Sequence, residues 1–319
     1  MSILKKMKTA LPFLLLLFLF ILFLLSPVRG GEALLRGISL WAVNVLPVTF
    51  PLLVLTALFT RQRAYRWATG KLSPLFSRLF RVDGEGGGIA ILSAFTGYPV
   101  GAKALYDYSM RGGRVNSRLV ALGTTSGPAF LFGTVGGIFY RSATAGAILM
   151  ISHFAAIFLV AFLLRFRKDE GSPPAPPAPP LPAKGEAKLS LFEVVSSSVL
   201  SVLTVGALIA LFSCLCTLLK EYGFFSFLSV FGQNAPYAEG ILAGLLEMTT
   251  GAFTLSALQT PLSLALSAFL ITFGGASVLC QQYAFLGQAG IKAAPFTLLK
   301  GAQGVLAALL CYVLALFLY

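Results

Sequence analysis

Apolar positions run in long blocks separated by short polar stretches crowded with Arg, Lys, Gly or Pro. The blocks fall near 10–27, 34–60, 119–140, 143–165, 194–219, 261–285 and 295–319. Blocks of this length cross a bilayer as helices, because a helix satisfies its own backbone in hydrocarbon. The pattern predicts an all-α polytopic membrane protein. The first block follows a basic start, MSILKKMK, as in a secretory signal. Its core is long and no A-x-A-like site follows it, so residues 1–30 read as a retained N-terminal transmembrane helix.

One segment cannot span. RFRKDEGSPPAPPAPPLPAKGEAK, from Arg165 to Lys188, is charged and proline-rich and favours extended polyproline structure. The linker, residues 166–188, divides the rest into blocks 31–165 and 189–319, and these resemble each other. AILSAFTGYPVGA (90–102) aligns with GILAGLLEMTTGA (240–252) without a gap, placing Gly101 on Gly251 and Gly97 on Glu247. TSGPAF (125–130) then aligns with TFGGAS (272–277). The order of these matches predicts an internal duplication.

Charge sets the topology. The chain is 57% hydrophobic and 11% charged, with a formal net charge of +13. The basic residues cluster in short loops, the positive-inside pattern, with no domain large enough to bind nucleic acid. Lys5, Lys6 and Lys8 place the N-terminus in the cytoplasm. Arg61, Arg63, Arg66, Lys71, Arg78 and Arg81 place the next loop there too, with 66–82 as an amphipathic interfacial helix. Arg111, Arg114 and Arg118 follow the segment 87–108, so that segment begins and ends on one side. It therefore reads as a re-entrant hairpin turning at Gly97-Tyr98-Pro99. Arg165, Arg167 and Lys168 make the linker cytoplasmic. Each block then has three crossings and one hairpin. Three is odd, so the second block is inverted, the arrangement of many secondary transporters.

Irregular backbone at membrane depth survives where protein or a water-filled cavity satisfies it. Gly97, Pro99 and Gly101 interrupt one helix, and EMTTG, Glu247 to Gly251, is the paired element. GTTSGP (123–128) and TFGGAS (272–277) read as unwound centres of crossing helices. Four interrupted elements at related positions would converge on a solute site. Lys103 and Glu247 carry charge at depth, which is costly and marks function by default. Lys103 either meets the solute or a counter-ion, or pairs with Asp107 four residues on. Glu247 would bind a cation, carry a proton or pair with Lys103. Tyr98, Thr125, Ser126, Thr249, Thr250, Ser277 and Gln281 complete the candidate substrate-binding set with Gly97. Gln282 is Gln281's alternative for facing the interior. His153 reads as a structural hydrogen-bonding group, and Asn44, Pro47 and Pro51 as a kink.

Other chemistry finds no support. Cys214, Cys216, Cys280 and Cys311 all lie in apolar runs without the spacing of a metal site. There is no G-x-x-x-x-G-K-[ST], G-x-S-x-G or H-E-x-x-H pattern, so the chain reads as neither an ATP-driven pump nor an enzyme. No metal or cofactor is expected, apart from a coupling ion, H+ or Na+.

VLPVTFPLLVLTALF, GYPVGAKALYD, TTSGPAFLFGTVG, LLEMTTG and FGGASVLCQQYAFL together resemble the sporulation integral membrane proteins that carry nucleoside-recognition Gate domains, of the stage V dipicolinate-transporter type. The Gate domain is similar to the repeats of concentrative nucleoside transporters. The resemblance implies an N-terminal span plus two inverted repeats, each with a re-entrant hairpin and an unwound helix. It implies a role in an endospore former, moving dipicolinic acid across the outer forespore membrane. Such a planar dianion needs fixed cations or helix N-termini and a flat surface, for which Lys103 and Tyr98 are the candidates. Membrane lipid is the other implied partner. A nucleoside transporter on the same scaffold, or a non-transporting scaffold for cortex or coat assembly, are the alternatives. Gly-Tyr-Pro-Val at the first hairpin tip departs from the amide and carboxylate tips that hold nucleosides.

Overall fold

The computed structural model describes residues 17, 18, 20–59, 62–98, 100–167 and 190–319. Pro99, most of the first predicted span and the proline-rich linker lie outside the described residues. Among the described residues every regular element is helical. Four helical stretches among the described residues are long and apolar enough to cross a membrane: Ala143–Leu164, Leu191–Glu221, Pro261–Leu286 and Ala293–Leu318. The chain is therefore an all-helical integral membrane protein, and its outer faces carry exposed Leu and Phe.

Helix α1 (Pro27–Leu40) runs through a π-wound turn, Trp41–Val45, into α2 (Leu46–Phe59). Pro47 lacks an N–H and its ring crowds the turn before it, so the ladder widens there. The Leu46 N–H reaches back to the Trp41 carbonyl, and Asn44 Nδ2 donates to the Leu40 carbonyl at 3.2 Å. Helix α3 (Arg63–Phe80) covers most of the stretch predicted to lie at the interface.

Helices α4 (Gly84–Thr96) and α5 (Val100–Met110) fold back on each other. Asp83 caps α4, accepting from the Gly86 N–H at 2.7 Å. The helix stops at Gly97, whose φ of 69° favours glycine. The arms touch, because a Cβ on Gly101 would overlap Ser93 Oγ and the Gly123 carbonyl. Their outer ends are tied as well. The Tyr108 hydroxyl donates to Asp83 Oδ2 at 2.5 Å, and Arg111 pairs with Glu85. Next come α6 (Ser117–Gly123), an irregular stretch at 124–128, and the π-wound α7 (Ala129–Phe139). The long α8 (Ala143–Leu164) completes the first half.

Helix α9 (Leu191–Glu221) opens on a capping box, with Ser190 and Glu193 satisfying each other's backbone N–H. A 3-10 segment, Ser226–Asn234, precedes α10 (Ala235–Leu246) and α11 (Met248–Ser256). These two fold back at Glu247, whose backbone is extended. A Cβ on Gly251 would overlap Gly244 Cα and sit 2.6 Å from the Gly240 carbonyl oxygen. The outer ends approach through a Tyr237–Thr260 hydroxyl pair at 3.1 Å. Helices α12 (Pro261–Phe273) and α13 (Gly275–Leu286) meet at Gly274, with φ 102°, and α14 (Ala293–Leu318) follows.

The final helix of each half runs antiparallel to the other. Tyr140, before α8, meets Tyr319, after α14, with ring centroids 6.3 Å apart. Phe296, early in α14, shares a buried cluster with Ile157 and Ala161, late in α8. That cluster also holds Val82, Leu105 and Tyr108 from the base of the α4–α5 pair. The base of the α10–α11 pair lies at the opposite end, where the Tyr319 hydroxyl donates to Gln259 Oε1 at 2.7 Å. The two pairs thus enter from opposite ends of the molecule, and their tips meet between them.

Candidate functional site

Each tip rests on the broken helix of its own half. A Cβ on Gly97 would lie 2.6 Å from the Gly127 nitrogen, and one on Gly275 would lie 2.5 Å from the Gly244 carbonyl oxygen. Only glycine allows backbone to approach backbone this closely. The halves are then cross-linked. The Tyr98 hydroxyl, at the first tip, donates to the Ile271 carbonyl at 3.0 Å, with Thr272 O at 3.3 Å. These carbonyls end α12 and lack the next turn's N–H groups, so Tyr98 satisfies an exposed helix end.

His153 joins the two breaks. The Ser126 N–H can only donate, so His153 Nε2 accepts from it at 3.2 Å, and the Thr125 hydroxyl lies 2.6 Å from the same nitrogen. The ring proton therefore sits on Nδ1 and is donated to Thr272 Oγ1 at 2.8 Å. Thr125 and Thr272 are the positions that align between the two halves. The histidine is fully buried, and its partners show a structural bridge, as its place in the sequence predicted.

A partly open recess lies where the two tips, the first break and α13 converge. Gly97, Tyr98, Ser126, Glu247, Thr249 and Gln281 all line it, so six of the ten candidate residues come together in one place. Val45, Val205, Ile209, Phe130, Met248 and Val278 supply apolar walls.

Glu247 is fully buried, and Oε2 caps α11 by accepting the Thr250 N–H at 2.6 Å. The positive end of α11 favours the carboxylate there. Oε1 receives a long hydrogen bond, 3.5 Å, from the Ser277 hydroxyl. Among the described residues no Lys or Arg lies within 4.0 Å of it. Gln281 Nε2 is a buried donor with no protein partner. Thr249 Oγ1 lies beside the Glu247 carboxylate without completing a hydrogen bond of good geometry.

The other four candidates do not line the recess, although Ser277 and Thr250 touch Glu247 from behind it. Thr125 is turned to His153, and the Thr250 hydroxyl pairs with Ser213 Oγ at 2.6 Å. Lys103 is not brought to the recess. Its side chain is 60% exposed and bonds Asp107 at 2.8 Å, so the local pair open to it in the sequence is the one that forms. It makes no pair with Glu247, because it lies on the outward side of α5.

Lys300 and Gln303 belong to no motif in the sequence, and reasoning from motifs misses them. Both are fully buried on α14. Lys300 Nζ donates to the Thr124 carbonyl at 2.6 Å, and Gln303 Nε2 to the Ala121 carbonyl at 3.1 Å, so together they satisfy the open end of α6. A lone lysine inside the apolar block 295–319 is the signal that could find this.

Over 337 aligned positions the chain is 30% identical to a curated protein of Bacillus subtilis (strain 168) described as "Sporulation integral membrane protein YlbJ". The match takes in 96% of this chain and 82% of that protein. No family model matches the chain, and no solved structure matches it.

Proposed function

Because the chain belongs to the family of sporulation integral membrane proteins that includes YlbJ, we propose that it is a secondary transporter or facilitator of a small carboxylate, dipicolinic acid, across the outer forespore membrane. In this reading the two halves are inverted Gate-like repeats. The α4–α5 and α10–α11 pairs are re-entrant hairpins, and the two breaks are unwound membrane helices. The observation that carries it is the recess itself, walled by both tips, the first break and α13, with the Gln281 amide nitrogen lacking a protein partner.

The solute's carboxylates would meet the Gln281 amide, the hydroxyls of Ser126 and Thr249, and the N-terminal ends of the interrupted helices. Its ring would lie against Tyr98 or Phe130. Glu247 is the sole lining carboxylate, and a dianion beside it needs a proton or Na+ to share the space. That is the place for a coupling ion.

A second reading has an observation in its favour. Glu247 at a hairpin tip and the Gln281 amide suit a polar, hydroxyl-bearing solute, so a nucleoside transporter on the same scaffold is the alternative. Uptake of radiolabelled dipicolinate into liposomes holding the purified chain tests the first reading. Thermal stabilisation by nucleosides, with none by dipicolinate and no dipicolinate uptake, would replace it with the second.

The exposed Lys103–Asp107 pair gives a contrasting expectation. Exposed i, i+4 pairs contribute about 0.3–0.5 kcal/mol. Lys103→Ala should leave both stability and uptake near the wild-type values. Loss of uptake in well-folded Lys103→Ala protein would return that lysine to the solute's path.

A further inference from the structure

Lys300 is a buried lysine amine without a carboxylate partner among the described residues. It is fully buried on α14, and among the described residues no Asp or Glu lies within 4.0 Å of it. Its contacts are neutral: the Thr124 carbonyl, Gln303 Oε1 at 3.1 Å, and the Tyr98 ring, 5.4 Å from Nζ to the centroid. A charge taken out of water is expensive, and carbonyls and a ring face return only part of that cost. Satisfying the end of α6 does not require a cation, because the neutral Gln303 amide already does this one turn away for Ala121. The positive charge has a further use.

Tyr98 separates this charge from the recess. Tyr98 lines the recess, whereas Lys300 does not and sits against the same ring. The ring is held by hydroxyl bonds to two carbonyls of the opposite half, and it follows the left-handed Gly97 at the tip. Among the described residues the recess offers an anion neutral donors and one carboxylate, but no cation. We propose that Lys300 is an inner anion station closed off by Tyr98, and that it receives the carboxylate of the solute when the Tyr98 ring swings aside. This deepens, and rests on, the reading of the chain as a carboxylate transporter.

Two arms test it on the full chain in liposomes. The first compares dipicolinate uptake, at limiting concentration, by Lys300→Gln and Lys300→Arg. Glutamine can still donate to the Thr124 carbonyl but carries no charge, whereas arginine keeps the charge. The expected result is a loss of about tenfold or more in the glutamine variant, with the arginine variant retaining most uptake. Wild-type uptake by Lys300→Gln, at equal protein and equal melting temperature, overturns the station.

The second arm needs no transport. Lys300→Cys and, as a control, Gln281→Cys are made in a chain whose native cysteines are alanine, then treated with an anionic thiosulfonate. The Gln281→Cys chain should react, and the Lys300→Cys chain should react only when Tyr98→Ala is added. A Lys300→Cys thiol that stays unreactive in the presence of Tyr98→Ala, beside a reactive Gln281→Cys control, overturns the gate. Should the wild type take up no dipicolinate, the transport reading falls and this second arm alone decides the station.

Discussion

Gly101→Ala and Gly251→Ala are each expected to destabilise the protein more than any other added methyl group in the two helical pairs. The added Cβ at Gly101 meets Ser93 Oγ and a carbonyl oxygen, and at Gly251 it meets the Gly244 backbone. Backbone cannot rotate away as a long side chain can. Overpacking of this kind costs about 1–3 kcal/mol, and these two sites belong at or above the top of that range. Gly301→Ala is the control, because a Cβ there meets nothing within 4 Å and helix propensity favours alanine. Melting of the purified protein should therefore drop clearly for the first two variants and hold or rise for the third. Equal melting of all three would mean that the arms of the pairs do not pack as described.

The second large effect is on transport. Glu247→Gln should keep the fold and lose the activity. A glutamine Oε1 can still accept the Thr250 N–H, so the cap on α11 survives. What disappears is the only carboxylate lining the recess. A charge-assisted hydrogen bond of about 2 kcal/mol corresponds to a loss of roughly 30-fold in uptake. Glu247→Ala should lose the cap as well, at a further cost of about 1 kcal/mol in stability. Comparing melting and uptake for the pair separates the two roles of this side chain. Unchanged uptake by well-folded Glu247→Gln would remove the carboxylate from the solute and ion path.

Much of this arrangement was legible in the chain. The breaks at 124–128 and Gly274 stand out because glycine and hydroxyl residues interrupt apolar runs where a plain membrane helix has no use for them. The folding-back of α4 and α5 followed from basic residues on both sides of one apolar segment, and Arg111 indeed reaches Glu85. The aligned Gly101 and Gly251 each make a close contact between arms.

The failures have physical causes. Lys103 and Tyr98 are five residues apart in one hairpin, yet hydrophobicity along a short arm does not reveal which side faces inward. Lys300 meets Thr124 across 176 positions, and its partner is a backbone carbonyl, which any residue type supplies. Such a contact leaves no mark in composition or spacing. The π winding of α7 was equally hidden, as was the close approach of its Gly136 to Gly146 on α8.

The account stands most directly on whether the solute occupies the recess. Two proteins answer this, each with its other native cysteines replaced by alanine. One carries Gln281→Cys, and the other keeps only the native Cys280, which is exposed outside the recess lining. The rate of maleimide labelling is measured with and without dipicolinate. The account predicts that dipicolinate slows labelling of the Gln281→Cys protein and leaves labelling at Cys280 unchanged. Equal rates for the Gln281→Cys protein with and without dipicolinate, in protein that takes it up, would contradict the recess as the binding place.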